Sequence, residues 1–544
     1  MKKKAAAAAG AAALAVTLVL VGCTGNPSAS SSNQPSSAKL SNSMPAAKGK
    51  VASVTWNLPS GEPTSLDPAF PLVSNQTVDS NLCEDLLRVN ADYSVSPGLA
   101  TVKRVDDTTY NVTINSAATF WDGNPVTADD AIWSIQRYFD KKLGSVYTGE
   151  VGGIKALTKT GDRTFTITLS APDATFYNLL ASPVGVVMEK AYSEAEGSKL
   201  GTPDGGLMCS GPYQLTSWSK GNNLVLTANP HYWNTSSRVL TQKATFTFNT
   251  DAASANAAMK RGEIDGEFNF SASSIASLKN TSGTLTLGPS VGFNALNFIN
   301  VASGPLNVDQ RHALSYAIDY NGIINGVWKS AATEQRTLSP RSAYTYSKPI
   351  FDAAWNKLTA GQHDLAKAKA LMKKAGKPKR AVVFAYSTDL PEFAQIAAAV
   401  QSAAESIGIK MTLKPLTASQ YSPIYFDPSA RKGIDLMFFN GYLDLPPQPL
   451  AWDRYYKSQG GAFNFSGASN KTFDSNIDKA VQTFDQNAQA ELMVKAEKSI
   501  DSQAVVLPIC EPYTRTWVGK GLTGVPTSGV NAYMPWLAQL GSTN

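Results

Sequence analysis

The chain has 544 residues, of which 43% are hydrophobic and 17% are charged, and its formal net charge is +6. This length exceeds what one hydrophobic core usually organises, so two or three lobes are expected. Apart from Lys2, Lys3 and Lys4, the positive charges are spread along the chain without a basic run, which argues against a nucleic-acid partner.

The first 22 residues have the order of a secretory signal. Lys2, Lys3 and Lys4 precede an unbroken small or apolar run that ends at Gly22 and Cys23. A positive start followed by an apolar run and small residues is typical of exported proteins. The run is somewhat short for a membrane-spanning helix, which needs about 20 apolar residues and usually a charged stop. The sequence therefore predicts export, with a spanning helix as the alternative.

The stretch Leu20-Val21-Gly22-Cys23 resembles a bacterial lipobox, in which the signal is cut before the cysteine and the thiol carries a lipid. The alternative is a signal peptide that contains a chance cysteine. Residues 23–50 follow, rich in Ser and Pro and poor in large apolar side chains, which predicts an unfolded tether. Lipid attached to Cys23 would then hold the exported protein at the outer face of the cell membrane.

Two strands and a helix are predicted in the part that follows the tether. "TYNVTIN" and "RTFTITLS" alternate apolar and polar residues with a period of two, which is typical of strands. Between them, Thr127 is the predicted N-cap of a helix, with Asp130 three residues later. This helix is expected to bury Ile132, Trp133 and Ile135. The combination predicts an α+β lobe.

After Val291 the apolar spacing changes from two residues to three and four. "DQRHALSYAI" and "HDLAKAKALMKKAG" fit helices, the second of which ends at Gly376. "AVVFAYS", a helix that reaches Gly408, and "IKMTLKP" then predict strand, helix and strand in a parallel βαβ unit. The second half is therefore expected to be α/β and to have a core of its own.

The sequence contains none of the motifs G-x-S-x-G, H-E-x-x-H, Walker A or G-x-G-x-x-G. Adjacent acids such as Asp129 and Asp130 are more typical of solvated helix starts than of a catalytic pair. Three isolated histidines and cysteines without C-x-x-C spacing argue against a metal site. No enzymatic activity, cofactor or metal is predicted.

Residues 209–233, "CSGPYQLTSWSKGNNLVLTANPHYW", carry a recognisable pattern. The stretch resembles the signature of the family 5 solute-binding proteins, the extracytoplasmic receptors of ABC importers for peptides, nickel complexes and some other solutes. Further pieces occur in the family's order, including "TSLDPA" at 64–69, "CEDLLRV" at 83–89, "FWDGNPVTADDAIWSIQRY" at 120–138 and "LPICEPYTRTWV" at 507–518. The resemblance covers essentially the whole chain after the tether.

The resemblance implies a periplasmic-binding-protein-like α/β fold, with two large lobes joined by hinge strands and a smaller inserted α+β lobe. The expected divisions are the signal peptide (1–22), the tether (23–50), the first lobe in two parts (51–89 and 201–295), the inserted lobe (90–200), the second lobe (296–507) and a return to the first lobe (508–544). Hinge crossings are expected near Leu296 and Leu507. A monomer of this kind closes its large lobes on the ligand and presents a joined surface to a membrane permease.

The segment that would anchor the ligand departs from the family pattern. Peptide-binding relatives commonly carry an acidic residue within the segment that matches 439–450, where it pairs with the free amino group of the peptide. Here Tyr442 takes its place, and Asp444 is the nearest carboxylate. Either Asp444 takes the anchor's role or the ligand has no amino terminus to anchor. The predicted ligand-binding residues are Asn440, Gly441, Tyr442, Asp444 and Trp452.

Three readings of the ligand and the role remain open. A peptide receptor is the main prediction. A receptor for another solute, such as an oligosaccharide, is the second, because aromatic side chains such as Tyr455 and Tyr456 could stack on sugars. A lipid-anchored enzyme or surface interaction module is the third.

Besides Cys23, the chain contains Cys83, Cys209 and Cys510, which lie far apart. An exported chain permits one disulfide among these three and leaves one thiol. The alternative is three buried free thiols. The family resemblance places Cys83 and Cys209 in the first large lobe near the cleft, which favours this pair, although Cys510 is assigned to the same lobe.

Overall fold

The computed structural model describes residues 39–443 and 448–544. The predicted signal peptide, the predicted lipid attachment at Cys23 and the candidate anchor Asp444 lie outside the described residues. No helix within the two described ranges combines the length and the apolar content needed to span a bilayer.

The strands of the described residues belong mainly to three sheets. Before residue 292 they are β1 (Val54–Asn57), β2 (Leu87–Val89), β3 (Val95–Pro97), β4 (Ala100–Arg104), β5 (Thr109–Ile114), β6 (Ile154–Gly161), β7 (Thr164–Leu169), β8 (Tyr213–Ser219), β9 (Asn223–Ala228), β10 (Lys243–Thr247), β11 (Gly266–Phe268) and β12 (Thr284–Gly288). From residue 292 they are β13 (Gly292–Phe298), β14 (Ala332–Glu334), β15 (Val382–Ser387), β16 (Met411–Leu416), β17 (Leu436–Tyr442), β18 (Val506–Pro512), β19 (Thr514–Val518), β20 (Leu522–Thr523) and β21 (Gly541–Ser542).

The α-helices lie between these strands along the chain. In the first part they are α1 (Val73–Leu82), α2 (Ala128–Gln136), α3 (Phe176–Leu179), α4 (Lys190–Glu196), α5 (Ala252–Arg261) and α6 (Ile275–Leu278). In the second part they are α7 (Val308–Ala317), α8 (Tyr320–Gly322), α9 (Lys348–Trp355), α10 (Leu365–Ala375), α11 (Pro391–Ser406), α12 (Ala418–Phe426), α13 (Pro449–Asp453), α14 (Lys471–Val481) and α15 (Gln486–Asp501).

The first large lobe is built on a seven-stranded sheet in the order β12-β19-β11-β1-β10-β9-β8. Its core includes the large aromatic side chains Trp56, Phe246, Phe268 and Trp536. The ring centroids of Trp56 and Trp536 lie 4.5 Å apart. Because Trp536 comes from the C-terminal tail, the two ends of the folded chain share one hydrophobic core.

The inserted lobe contains an antiparallel four-stranded sheet in the order β4-β5-β7-β6. The predicted period of two agrees with the burial of alternate residues on β5 and β7: Tyr110, Val112, Ile114, Phe165, Ile167 and Leu169. Thr127 and Asp130 form the predicted capping box at the start of α2.

One detail of α2 differs from the prediction. Ile135 is buried, but Ile132 and Trp133, which were also expected inside, are partly exposed. The buried face of the helix is formed instead by small side chains, Ala128 and Ala131, together with Ile135. These residues recur at three- and four-residue spacing, and Ile132 and Trp133 flank this stripe, where they pack against two different cores.

The second large lobe is built on a six-stranded sheet in the order β14-β18-β13-β17-β15-β16. β15, α11 and β16 form the predicted parallel βαβ unit, in which Val382 pairs with Met411. Gly376 follows α10 with a φ of 76°, as expected of a glycine at a helix end. Phe384 and Phe438 belong to a different core from that of Trp56 and Trp536, but this second core also includes first-lobe side chains such as Met259 and Trp517.

Within the described residues, the chain passes between the two large sheets at two places. Residues 289–291 join β12 to β13, and Tyr513 joins β18 to β19. β12 pairs with β19 and β13 pairs with β18, so the crossings run side by side as one two-stranded ribbon. Leu296 and Leu507, where the crossings were expected, pair with each other inside the second sheet. Both crossings therefore lie several residues from the predicted boundaries, because β13 starts earlier and β18 continues further than expected.

An unfolded tether was predicted for residues 23–50, but the C-terminal end of this segment is folded against the first lobe. Met44 and Ala47 are buried, and the Met44 N–H donates to the Val525 carbonyl at 3.0 Å. Gly49 forms an isolated bridge with Ser542. The prediction used the average composition of residues 23–50, in which two apolar side chains have little weight. These two side chains pack the end of the segment on the first lobe.

Cys83 and Cys209 are joined by a disulfide in the structure, with their Cα atoms 4.9 Å apart. Cys83 follows α1 directly, so the bond ties the end of this helix to a segment 126 positions later. Cys510 is a buried free thiol in β18.

Replacing Cys83 and Cys209 together by serine is expected to lower the free energy of unfolding by about 2–5 kcal/mol, because the crosslink restricts the unfolded chain. Urea unfolding without reductant compares the double variant with the parent. With reductant present, the two proteins should become alike, which is the control. Peptide mapping that found Cys209 linked to Cys510 would contradict the pairing.

Candidate ligand-binding cleft

β17 carries the predicted recognition segment to the boundary between the two large lobes. Asn440 lies opposite Asn294 in β13, and Tyr442 lies opposite Gly292 at the start of β13, next to the first crossing. The side-chain nitrogen of Asn294 donates to Oδ1 of Asn440 at 3.0 Å. This bond orients the side chain of Asn440, which is exposed to solvent.

Tyr442 reaches across the boundary between the lobes. Its phenol donates to the carbonyl oxygen of Pro71, in the first lobe, at 3.2 Å. In return, the phenol of Tyr533 in the C-terminal tail donates to the carbonyl oxygen of Leu443. Two hydroxyl groups, one from each lobe, thus tie the end of β17 to the first lobe. A phenol is neutral until about pH 10, so Tyr442 brings a ring and a hydrogen bond to this position, without a charge.

Gly441 is required by the packing around it. A Cβ atom at this position would lie 2.3 Å from Cε1 of Phe439 and 2.7 Å from Cζ of Phe293, distances that side chains do not tolerate. The position therefore contributes its main chain to the cleft, and the neighbouring rings occupy the space of a side chain.

Trp452 was predicted to contact the ligand, but the structure places it beneath β17. Its ring lies 5.0 Å from that of Phe463 and 5.4 Å from that of Phe293, measured between centroids. Only 5% of its surface is exposed. Trp452 supports the recognition strand from below, because the aromatic cluster around it takes up the whole ring.

Arg454 ties the second lobe to the inserted lobe. Its guanidinium pairs with the carboxylate of Glu150 and lies 3.3 Å from Oδ2 of Asp173. The phenol of Tyr455 donates to Glu150 as well. The Glu150 side chain is 3% exposed and that of Arg454 21%, so the pair is largely removed from water. Sequence reasoning missed this cluster, because the three charges are far apart along the chain and carry no local pattern.

The groups at the cleft are suited to an organic solute. Amide, main-chain and phenol groups bind neutral or zwitterionic molecules through hydrogen bonds, and rings add apolar contact. In the parts of the chain that the structure describes, no group of three His, Cys, Asp or Glu residues is arranged to hold a metal ion.

Comparison with known proteins relates most of the chain to one family of solute-binding proteins. Residues 94–463 match the family described as "Bacterial extracellular solute-binding proteins, family 5 Middle". The chain is 26% identical over 481 residues to the probable D,D-dipeptide-binding periplasmic protein DdpA of Escherichia coli, an alignment that covers 85% of this chain and 89% of DdpA. It is 26% identical over 538 residues to the dipeptide-binding protein DppE of Bacillus subtilis, with 94% of each chain covered.

Solved structures show the same architecture. The ABC transporter substrate-binding protein CtaP from Listeria monocytogenes matches with a TM-score of 0.77 at 22% identity, covering 91% of this chain and 100% of CtaP. A likeness of this kind shows a shared fold, two large lobes with a smaller one inserted.

Arg454→Met is expected to favour an arrangement with the lobes apart. The change leaves the buried carboxylate of Glu150 without its cation, and removing one partner of a buried ion pair costs about 3–5 kcal/mol. When the lobes separate, Glu150 returns to water. The variant therefore destabilises the closed arrangement more than the open one. Small-angle X-ray scattering should show a larger radius of gyration for the variant.

The matched control is Lys457→Met, which breaks a more exposed ion pair with Asp478 inside the second lobe. This control should leave the radius of gyration unchanged. If the parent and Arg454→Met have the same radius of gyration, the Arg454–Glu150 ion pair does not hold the lobes together.

Proposed function

Because the chain belongs to the bacterial extracellular solute-binding proteins of family 5, we propose that it binds peptides between its large lobes and delivers them to the permease of an ABC importer. The proteins of this family are receptors, so the chain is a binding protein and not an enzyme. The names of DdpA and DppE, both of which refer to dipeptide binding, support a peptide as the ligand.

Incomplete strand pairing on β17 is the observation that favours a peptide most. β17 pairs with β13 along its whole length. It pairs with β15 only at Leu436 and Met437. Beyond Met437, the β15 side of β17 lies outside the strand ladder of the described residues. There the hydroxyl of Tyr421 donates to the Phe438 carbonyl, and the hydroxyl of Tyr425 bonds to the main chain of Asn440.

An extended peptide can use such an edge with its own main chain. Hydrogen bonds between main chains are independent of the peptide's side chains, and they suit a receptor for many sequences. The exposed side chain of Asn440 adds an amide at the same edge. Sugars lack the alternating N–H and C=O groups that would match this edge, which makes a peptide the better fit.

A charge pair within β17 is not part of this proposal. The phenol of Tyr442 stands where relatives carry a carboxylate, and it donates to Pro71 across the boundary. Asp444 could supply the carboxylate from the next loop, but it lies outside the described residues and stays a prediction.

A random tetrapeptide library tests the proposal directly. Native mass spectrometry should show bound peptides, and thermal unfolding should show stabilisation. A ligand at 100 times its Kd stabilises the folded state by about 2.7 kcal/mol. Gly441→Ala should weaken binding at least tenfold, because its Cβ would meet the ring of Phe439 and displace the strand.

The matched control for this variant is Gly326→Ala, whose Cβ would meet no atom within 4 Å. It should bind the library like the parent. A parent that is stabilised by maltotetraose but not by the peptides would contradict the peptide assignment.

The lipid anchor at Cys23 is a separate part of the proposal, supported by the lipobox-like run that precedes it. Cys23→Ser should move the protein from the membrane fraction to the soluble fraction, because the thiol that carries the lipid is lost. Cys510→Ser, which keeps Cys23, should stay with the membranes. If Cys23→Ser still sediments with membranes, the assignment of Cys23 as the site of lipid attachment is wrong.

A further inference from the structure

A small polar cavity lies in the first lobe, directly behind the point where Tyr442 docks. Its volume is about 40 Å³. Its walls include Pro71, whose carbonyl accepts from Tyr442, and Tyr533, whose phenol donates to Leu443. Because one water needs roughly 10–15 Å³ on this measure, the cavity has room for a group of two or three heavy atoms. Through Pro71 and Tyr533 it lies next to the contacts that join the lobes, and it is too small for a whole solute.

One wall of the cavity is a face of α1 together with the cysteine that follows it. Gln76, Asp79, Ser80 and Cys83 line the cavity, and their spacing of three and four residues places them on one side of the helix. The wall is held at two points. The Ser80 hydroxyl donates to the Asn531 carbonyl at 3.0 Å, and Cys83 is fixed by its disulfide.

Gln76 and Asp79 have hydrogen-bonding capacity that the rest of the described chain leaves unused. Gln76 is 3% exposed, and neither atom of its amide group has a hydrogen-bond partner among the described residues. Asp79 is 8% exposed, and its Oδ1 has no partner in the same set. Leaving a buried polar group unpaired destabilises the fold, because its hydrogen bonds to water are lost and not replaced. A group that binds in the cavity would recover that free energy.

The lining of the cavity is also rich in carboxyl groups, since it includes Asp79, Glu84 and Asp85 together with the cation Arg88. Among the carboxylates around it, Glu84 pairs with Arg88 at 2.7 Å, and Asp67 pairs with an arginine just after α2. Asp79 and Asp85 form no ion pair within residues 39–443 and 448–544. Burial, and then the charge of Asp67, raise the pKa of the Asp79 carboxyl well above its usual range. A cation in the cavity would lower this pKa again and release a proton.

We infer that this cavity is a subsite of the cleft that takes an ammonium group of the ligand, with Asp79 as the carboxylate and Gln76 Oε1 as a second acceptor. The inference rests on the proposed function, because it treats the ligand as a peptide that lies along β17. An ammonium group on its carbon fits the volume, and its N–H groups meet the unpaired oxygens. The described residues hold no cluster of three metal-ligating side chains, so a metal ion suits the cavity less well.

Asp79 belongs to the first lobe, whereas the family resemblance places the usual carboxylate in the segment that matches 439–450. Tyr442 donates to the Pro71 carbonyl, and Pro71 and Asp79 line the same cavity. A ligand ammonium group at this point would therefore be covered when the lobes close. The ammonium can come from the amino terminus of the peptide or from a lysine side chain.

Four random tetrapeptide libraries separate these sources: free peptides, N-acetylated peptides, free peptides without basic residues, and N-acetylated peptides without basic residues. The last library has no ammonium group. The parent protein should bind it at least tenfold more weakly than the free library in calorimetric competition. Weak binding of the acetylated library would assign the ammonium to the amino terminus, and weak binding of the free library without basic residues would assign it to lysine.

Asp79→Asn tests the carboxylate with almost no change in shape. The variant should bind the ammonium-free library like the parent and lose the tenfold preference for the free library. Calorimetry in two buffers of different ionisation enthalpy gives a second readout: the parent should release protons on binding the free library, and the variant should not. Asp106→Asn, an exposed acid of the inserted lobe, should keep both the preference and the proton release.

Two results would overturn the inference and leave peptide binding intact. One is equal affinity of the parent for the free library and the ammonium-free library. The other is a preference and proton release that survive in Asp79→Asn. If the parent bound none of the four libraries, the proposed function would be wrong, and the subsite would fall with it.

Discussion

The two crossings between the large lobes run as one antiparallel ribbon, and the geometry of the cleft depends on this ribbon. β12 pairs with β19 on one side of the boundary, and β13 pairs with β18 on the other. The register shifts between Asn294 and Ala295, where the partners are Cys510 and Pro508. An irregularity of this kind bends and twists a strand pair locally. Rotation of one lobe against the other therefore bends two neighbouring strands together, and it carries β17 along, since β17 is paired with β13 over its full length.

The contacts across the boundary are of two physical kinds. Near the ribbon, Tyr442 and Tyr533 donate neutral hydrogen bonds, each contributing about 0.5–1.5 kcal/mol. Further away, Arg454 and Glu150 form a largely buried ion pair, which loses much more when one partner is removed. A ligand shifts the balance of open and closed forms only by its difference in affinity for them. The chain's own contacts across the boundary add to those of a ligand in the closed form, so a ligand that offers mainly main-chain hydrogen bonds suits this cleft.

Features that depend on neighbouring residues could be predicted from the sequence, and features that depend on distant contacts could not. Alternation predicted the buried faces of β5 and β7, and the spacing of Thr127 and Asp130 predicted a capping box. The division into two large lobes and a smaller inserted lobe was predicted from the family resemblance. The ion pair of Arg454 joins residues 304 positions apart, and no local pattern marks it. The burial of Trp452 and the positions of the crossings likewise follow from sheet pairing and packing, because a strand pattern does not show where a strand leaves one sheet for another.

The seven-stranded sheet has a consequence for the order of folding. β19 lies between β12 and β11, so the sheet is incomplete until the last part of the chain is present. Trp536, in the core of the same lobe, donates to the Thr77 carbonyl 459 positions earlier. Contacts of such long sequence separation form slowly, since a large loop must close first. The sheet of the second lobe uses strands from one continuous stretch, β13 to β18, and does not wait for either terminus. When the chain emerges amino terminus first, its first strand belongs to the first lobe. That lobe is nevertheless the last to be completed, because it needs β19 and Trp536.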